Sequence, residues 1–315
     1  MVMRKPKCPK TAASIACLAL LLGAADTIPA VGGLGPGQKV SEQKKIIHVG
    51  FEASLFSAVD LQDVRIALEI WMKQISDSSS VRYSVESFVY PDFPSLAKDI
   101  RAKKLEIVNI SALDYVHMPK DMPLEPFLVP CQGDSPLVNY KLGVHKSSGI
   151  SRLSQLAKET LAIQSGAHTS ISQLWLRSLL LENGLSTYPE FFRAVRVAEK
   201  PAQAVLPVFF GQVSACLVSS DSFEMMVELN PQVGQELSVL AESPGFLNLI
   251  SCFHRDFDPE VKRAVMDKAY LLHENPGGQQ ILTLFRMDKA IPFDPSYLRD
   301  LETLVERDGM KEEGF

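Results

Sequence analysis

The chain has 315 residues, 46% of them hydrophobic and 22% charged, with 32 basic residues against 37 acidic ones for a formal net charge of −5. That length and apolar content suit one large α/β domain or two ordinary lobes and exclude a largely disordered chain. The acidic balance disfavours nonspecific nucleic-acid binding.

Residues 1–25 read as a signal peptide. Arg4, Lys5, Lys7 and Lys10 form a basic start, Ala12 to Ala25 is small and apolar, and Gly23-Ala24-Ala25 suits a processing site. A retained N-terminal membrane anchor is the alternative, and no later segment could cross a bilayer. Cleavage after Ala25 would leave 28 basic residues against 37 acidic ones, a net charge near −9. Export would place Cys131, Cys216 and Cys252 in an oxidising compartment, where an odd number cannot all pair within the chain. Cys216 and Cys252 lie in apolar strand-like runs and read as buried structural thiols.

Residues 26–43 form a Gly/Pro-rich flexible leader, and Lys45 to Gly50 is the first strand. Leu61, Val64, Leu68, Trp71 and Ile75 recur at helical spacing, with Asp60 placed to cap. A second strand covers Val81 to Val89, a short helix carries Leu96 and Ile100, and a third strand runs from Leu105 to Ile110. It ends at Ser111, with Leu113 and Tyr115 in a helical turn. This βαβαβ order requires right-handed crossovers and a mostly parallel sheet. Pro119, Pro123, Pro126 and Pro130 break the next stretch, which is expected to cover a surface.

The pattern restarts with a strand from Val138 to Val144, a short helix from Ile150 to Ala157 and a strand from Thr160 to Gln164. Ser165 to Ser170 then turns into a helix bearing Ile171, Leu174, Leu179 and Leu180. Ala204 to Pro244 reads as a helix end, a tight Gly211 turn, a buried strand from Ser214 to Val218, a helix and another apolar strand. The C-terminal part reads as helical. Asp258-Pro259-Glu260 supplies an N-cap, a first-turn proline and a first-turn acid, Asn275-Pro276-Gly277-Gly278 interrupts, and Tyr297, Leu301 and Leu304 mark a last helix. Two βα series separated by prolines predict two lobes.

The ordered set of segments resembles the phosphate/phosphite/phosphonate class of periplasmic solute-binding proteins, in its phosphonate-binding branch. The likeness spans about residues 44 to 308. It is carried by Leu105 to Tyr115, by Tyr140 to Gly149 followed by Ile150-Ser151-Arg152-Leu153-Ser154-Gln155-Leu156, by Ser165 to Ser172 at the family's anion loop, by Val208 to Val218, and by Asn275-Pro276-Gly277-Gly278 with Tyr297. The resemblance implies an α/β type II periplasmic-binding-protein fold, two mixed-sheet lobes joined by two hinge strands. Residues 44–136 with 243–315 would form lobe one, and residues 137–242 lobe two. It implies an exported, periplasmic monomer that captures a small solute, an oxyanion foremost, for an ABC permease or a membrane sensor. No cofactor or metal is expected. Ser214 stands where the family often has an Asp that relatives can direct at a ligand amino group, and Ala167-His168-Thr169-Ser170 replaces a plain Ser/Thr/Gly anion loop.

An oxyanion in a cleft needs converging donors, which first-turn backbone N–H groups and hydroxyls supply. Thr169, Ser170 and Ser172 open one helix, and Ser111 and Tyr115 open another. His168 beside a helix start could add charge. Ser54 and Ser57 in the first strand-to-helix loop offer hydroxyls, and Phe56 offers an apolar cover. Ser219, Ser220 and Asp221 end a strand, where Asp221 would favour a ligand with its own donor. A binding module for a non-anionic metabolite, or one coupled to a sensor, is the other reading. Enzymatic signatures are missing: there is no Gly-x-Ser-x-Gly elbow, no P-loop follows Ser165-Gly166, and the six histidines lack metal-ligand spacing.

Overall fold

A computed structural model describes residues 45–56, 66, 83–165, 169–188, 190–274, 276–284 and 287–312. The expected signal peptide, the leader and all but Ile66 of the helix expected over Leu61 to Ile75 lie outside those residues. Strand β1 (Lys45–Glu52) pairs in parallel with β2 (Tyr83–Tyr90). Helix α1 (Phe93–Arg101) begins where local chemistry dictates: Asp92 accepts the Ser95 N–H at 2.8 Å, and Pro94 occupies the first turn, where no intrahelical donor is needed. Its Leu96, Ala97 and Ile100 are buried. Strand β3 (Ile107–Ser111) lies parallel to β1 on its other side, and helix α2 (Ala112–His117) follows directly.

The proline-rich stretch is not a surface cover. Leu124–Cys131 forms β4, an interior strand of the first sheet. Its pairing with the later strand at Leu249–His254 shifts register between Ser251 and Cys252, opposite Pro126. A bulge at that point accommodates a residue without an N–H.

Strand β5 (Leu137–Val138) then leads to β6 (Tyr140–His145), β7 (Thr160–Gln164), α3 (Thr169–Glu182), β8 (Ala194–Ala198), α4 (Pro201–Phe209), β9 (Ala215–Ser219), α5 (Ser220–Leu229), α6 (Pro231–Glu236) and β10 (Leu237–Glu242). The short helix expected over Ile150 to Ala157 reduces to a 3-10 turn at Leu153–Leu156. These strands form a second sheet in the order β10-β6-β9-β7-β8. Every residue of β9 is buried. Ala215 and Leu217 pack in one cluster with Trp175, Leu176 and Leu180 of α3, while Cys216 and Val218 pack with Val205 and Val208 of α4 and Phe223 of α5. Burial on both faces explains the unbroken apolar run.

The chain returns through β11 (Phe246–Leu247), which pairs antiparallel with β5, Phe246 opposite Val138. Strand β12 (Leu249–His254), α7 (Pro259–Tyr270), α8 (Pro276–Leu284), β13 (Lys289–Pro292) and α9 (Arg299–Glu312) complete it. Helix α7 carries the expected cap, with Asp258 accepting from the Glu260 and Val261 N–H groups. Strand β13 falls inside the part expected to be helical. The first sheet has the order β13-β4-β12-β3-β1-β2 and is mixed, with β12 antiparallel to both neighbours. The chain thus forms two mixed α/β sheets joined by two short strands. Helix α9 places Leu301 and Leu304 in the cluster of Trp175 and Leu180. Ion pairs at 3.1 Å, Arg177 with Asp308 and Arg307 with Glu182, tie it to α3.

Candidate functional site

In the second sheet β7 and β9 are parallel neighbours, so their carboxyl ends open on the same side. A small cavity lies there, lined by Tyr140, Gln164, Ser165, Ser172, Leu217, Val218 and Ser219. Strand β6 runs antiparallel to β9, which brings its first residue, Tyr140, opposite Ser219. The cavity volume of about 10 Å³ is enough for about one water. Its wall holds three hydroxyls and a carboxamide beside Tyr140, at the position where open α/β sheets take small ligands. Ser219 also caps α5, its Oγ accepting the Ser222 N–H at 3.2 Å.

A second polar group sits at the carboxyl ends of β1 and β3. Ser111 caps α2 by accepting the Asp114 N–H at 3.0 Å, and its hydroxyl donates to Asp114 Oδ2 at 2.5 Å. The buried Glu52 carboxylate accepts the Ser54 hydroxyl at 2.9 Å and the Ser111 N–H at 3.5 Å. Burial raises the Glu52 pKa above its ordinary value, and repulsion from Asp114 raises it further. The Ser54 and Ser111 hydrogen bonds oppose the shift.

Asn248 connects the two groups. Its carbonyl accepts the Ala112 N–H at 2.9 Å, and its Oδ1 accepts the Tyr140 hydroxyl at 2.7 Å.

The residues expected from sequence divide among these places. Ser219 lines the cavity, as does Ser172. Ser170 is exposed in the first turn of α3, and Thr169 opens that helix. Ser111 and Ser54 belong to the Glu52 group. Tyr115 is half-buried and packs against Phe293 with ring centroids 6.2 Å apart, and burial raises its pKa. Asp221 is exposed in the first turn of α5, where Ser219 rather than Asp221 is the cap. Phe56 closes a 3-10 turn over Ala53–Phe56, while Ser57 and His168 lie outside the described residues. Tyr140, Gln164 and Asn248 were not singled out as contacts. Their roles arise from strand pairing and long-range hydrogen bonds, for which no local motif exists.

Ser214 departs from the expected role. It sits at the amino end of β9, opposite the cavity, donating to Glu159 Oε2 at 2.6 Å and contacting the Thr160 hydroxyl at 3.2 Å. The residue type there therefore does not set the charge of the cavity. Among the described residues no group of three His, Cys, Asp or Glu side chains is placed to hold a metal ion.

The family described as ABC transporter, phosphonate, periplasmic substrate-binding protein matches residues 56–298. The chain belongs to that family. Among curated proteins none matches the chain. Solved structures share the fold of this family member at low identity. A Xanthomonas citri protein bound to ATP is 17% identical with a TM-score of 0.61, covering 86% of this chain and 99% of its own. The binding protein component of an ABC phosphonate transporter from Pseudomonas aeruginosa is 16% identical, with a TM-score of 0.58 and coverage of 83% and 86%. PhnD1 from Prochlorococcus marinus, in complex with methylphosphonate, is 14% identical, with a TM-score of 0.59 and coverage of 84% and 98%. These neighbours are type II periplasmic binding proteins, and the two mixed sheets of this family member follow that plan. No helix among its described residues is long and apolar enough to cross a membrane.

Proposed function

We propose that the protein is an exported, monomeric solute receptor that captures a small oxyanion, phosphate-like in its chemistry, and presents it to an ABC permease. Residues 44–136 with 243–315 would move as one lobe and residues 137–242 as the other, with β5 and β11 as the hinge and α9 bridging to α3. The observation that carries this reading is the convergence of Ser165, Ser172, Ser219, Gln164 and Tyr140 at the carboxyl ends of β7 and β9, around a cavity that in this arrangement of the lobes has room for about one water. Hydroxyl and amide donors at strand ends beside helix starts suit an anion without supplying a mobile counter-charge. Methylphosphonate and ATP, held by two of the structural neighbours, both present phosphorus-bound oxygens. Binding needs no covalent step, because a ligand with higher affinity for one lobe arrangement shifts the population toward it.

The Glu52–Asp114 pair favours a second reading, in which the solute carries a donor or a positive charge at one end. Two carboxyl groups beside Ser111 would repel a dianion and attract an ammonium or a protonated oxygen. A thermal-shift panel of inorganic phosphate, methylphosphonate, ATP, sulfate, an amino-substituted phosphonate and uncharged metabolites separates the readings. Ligands that bind only the folded form raise the melting temperature. A shift with phosphate or methylphosphonate supports oxyanion capture, a shift confined to the amino-substituted compound supports the second reading, and a shift with uncharged compounds alone rejects both.

A further inference from the structure

Asn248 occupies a singular place in the chain. It lies between β11 and β12, one residue past the hinge strand, and is only 5% exposed. Its backbone belongs to the first sheet's side of the site: its carbonyl takes the N–H of Ala112, the residue after Ser111, and its neighbour Leu249 pairs with Ser111 across β12 and β3. Its side chain belongs to the other side, since its Oδ1 accepts from Tyr140, a wall of the cavity. Its Nδ2 is buried and has no hydrogen-bond partner among the described residues.

Accepting from a tyrosine hydroxyl requires only an acceptor oxygen. A carboxamide adds two N–H donors on the same nitrogen, and here neither has an acceptor among the described residues. Buried donors left unpaired are unfavourable and uncommon, so an explanation is needed for each one. The nitrogen shares its carbon with the oxygen that the hydroxyl of Tyr140, a cavity-lining residue, reaches. The Asn248 backbone carbonyl meets the Ser111–Ala112 turn at the Ala112 N–H.

We propose that Asn248 is a ligand-binding residue whose Nδ2 donates to an acceptor oxygen of the captured solute, across the junction between the hinge and the cavity. The proposal rests on the solute-capture reading and deepens it by naming a donor outside both βα turns. The amide would contribute directional selectivity, because an N–H donor accepts nothing and so distinguishes an acceptor oxygen from an ammonium presented in the same orientation. A hydroxyl such as Ser219 makes no such distinction, since it can donate or accept. The Oδ1 bond to Tyr140 orients the amide before a ligand arrives.

The test is calorimetric titration of the purified protein and of Asn248→Asp and Asn248→Leu with inorganic phosphate and methylphosphonate. Asn248→Asp keeps an oxygen for Tyr140 and replaces the donor by an acceptor, and Asn248→Leu carries neither donor nor charge. Both should weaken binding at least about tenfold, the loss of one well-placed hydrogen bond. In a 15N correlation spectrum the Asn248 side-chain amide pair, assigned by its loss in the Asp variant, should move on saturation. Binding within twofold of the parent in either folded variant, or an unmoved amide pair at saturation, overturns the proposal while leaving solute capture intact. A parent protein that binds neither probe overturns the oxyanion reading itself and the role of Asn248 with it. If Asn248→Leu does not fold, the Asp variant and the spectrum decide.

Discussion

Gly245 passes so close to Leu137 that a Cβ added to the glycine would lie 2.8 Å from the leucine Cβ. The contact joins the residue entering β11 to a residue of β5, the two strands by which the chain passes between its sheets. The obstructing atom is next to the backbone and cannot swing away, so an alanine must push the two strands apart. Phe246 and Leu247, both fully buried, would lose packing as they move. Gly245→Ala should therefore destabilise the protein by about 1–3 kcal/mol, read as a lower midpoint in urea. A midpoint equal to that of the parent would mean that the hinge strands have slack at this point.

Glu52 gives a pH-dependent prediction whose sign is set by its raised pKa. Burial and Asp114 make the folded chain hold the Glu52 proton to higher pH than the unfolded chain does. The stabilisation linked to that proton is complete below the ordinary carboxyl value of 4.5 and is lost as pH rises through the folded value. Glu52→Gln keeps an acceptor for Ser54 and removes the charge. At pH 7 to 8 it should be more stable than the parent by on the order of 1 kcal/mol, a rise of roughly 2–4 °C in Tm. The difference should shrink toward zero as the pH falls below 4.5. A Gln variant less stable at pH 8 would show that the carboxylate is held by interactions stronger than the repulsion from Asp114.

Tyr140→Phe removes a buried hydroxyl and takes from Asn248 Oδ1 its Tyr140 donor. The ring volume is retained, so packing changes little and the effect reads the loss of the hydroxyl. A loss of about 1–3 kcal/mol is expected, the penalty of a buried acceptor left unsatisfied. Denaturant unfolding should show the change in the midpoint with the slope preserved. An unchanged midpoint would mean that water enters and replaces the hydroxyl.

Local chemistry was legible in the sequence and long-range pairing was not. The Asp258 cap depends on residues two or three positions away, so its helix begins where the sequence suggests. Strand β4 was hidden because Pro126 and Pro130 break every local strand rule, and only the register shift in its partner at Ser251 and Cys252 makes room for Pro126. Strand β8 was hidden for another reason: it lies at the sheet edge, and its Ala194, Arg196 and Val197 are exposed, which removes the apolar run that marked β9. In the site, Ser219 could be placed from its strand-to-helix position. Tyr140 and Asn248 are 108 residues apart and meet only through the folded hinge. Ser214 showed the converse, a residue marked by comparison with a family pattern but lying at the far end of its strand from the cavity.

The three described cysteines are free and buried. Cys216, on β9, has its thiol pushed up to about 12 by burial, and burial likewise raises Cys252 on β12 and Cys131 on β4. A thiol reacts as its thiolate, so native protein at pH 8 should show no fast reaction at these positions with a disulfide reagent, and all three should react once denatured. Their order under native conditions reports local opening. Cys131 should react first, because its strand ends there in a turn, with Sγ 3.6 Å from the Gly133 carbonyl, next to the edge strand β13. Cys216 and Cys252 have paired strands on both sides and need a larger opening. Cysteine-to-serine variants with mass detection assign each rate. If Cys252 reacts faster than Cys131, β12 detaches more readily than the sheet edge, and the segment that carries Asn248 is itself a mobile element.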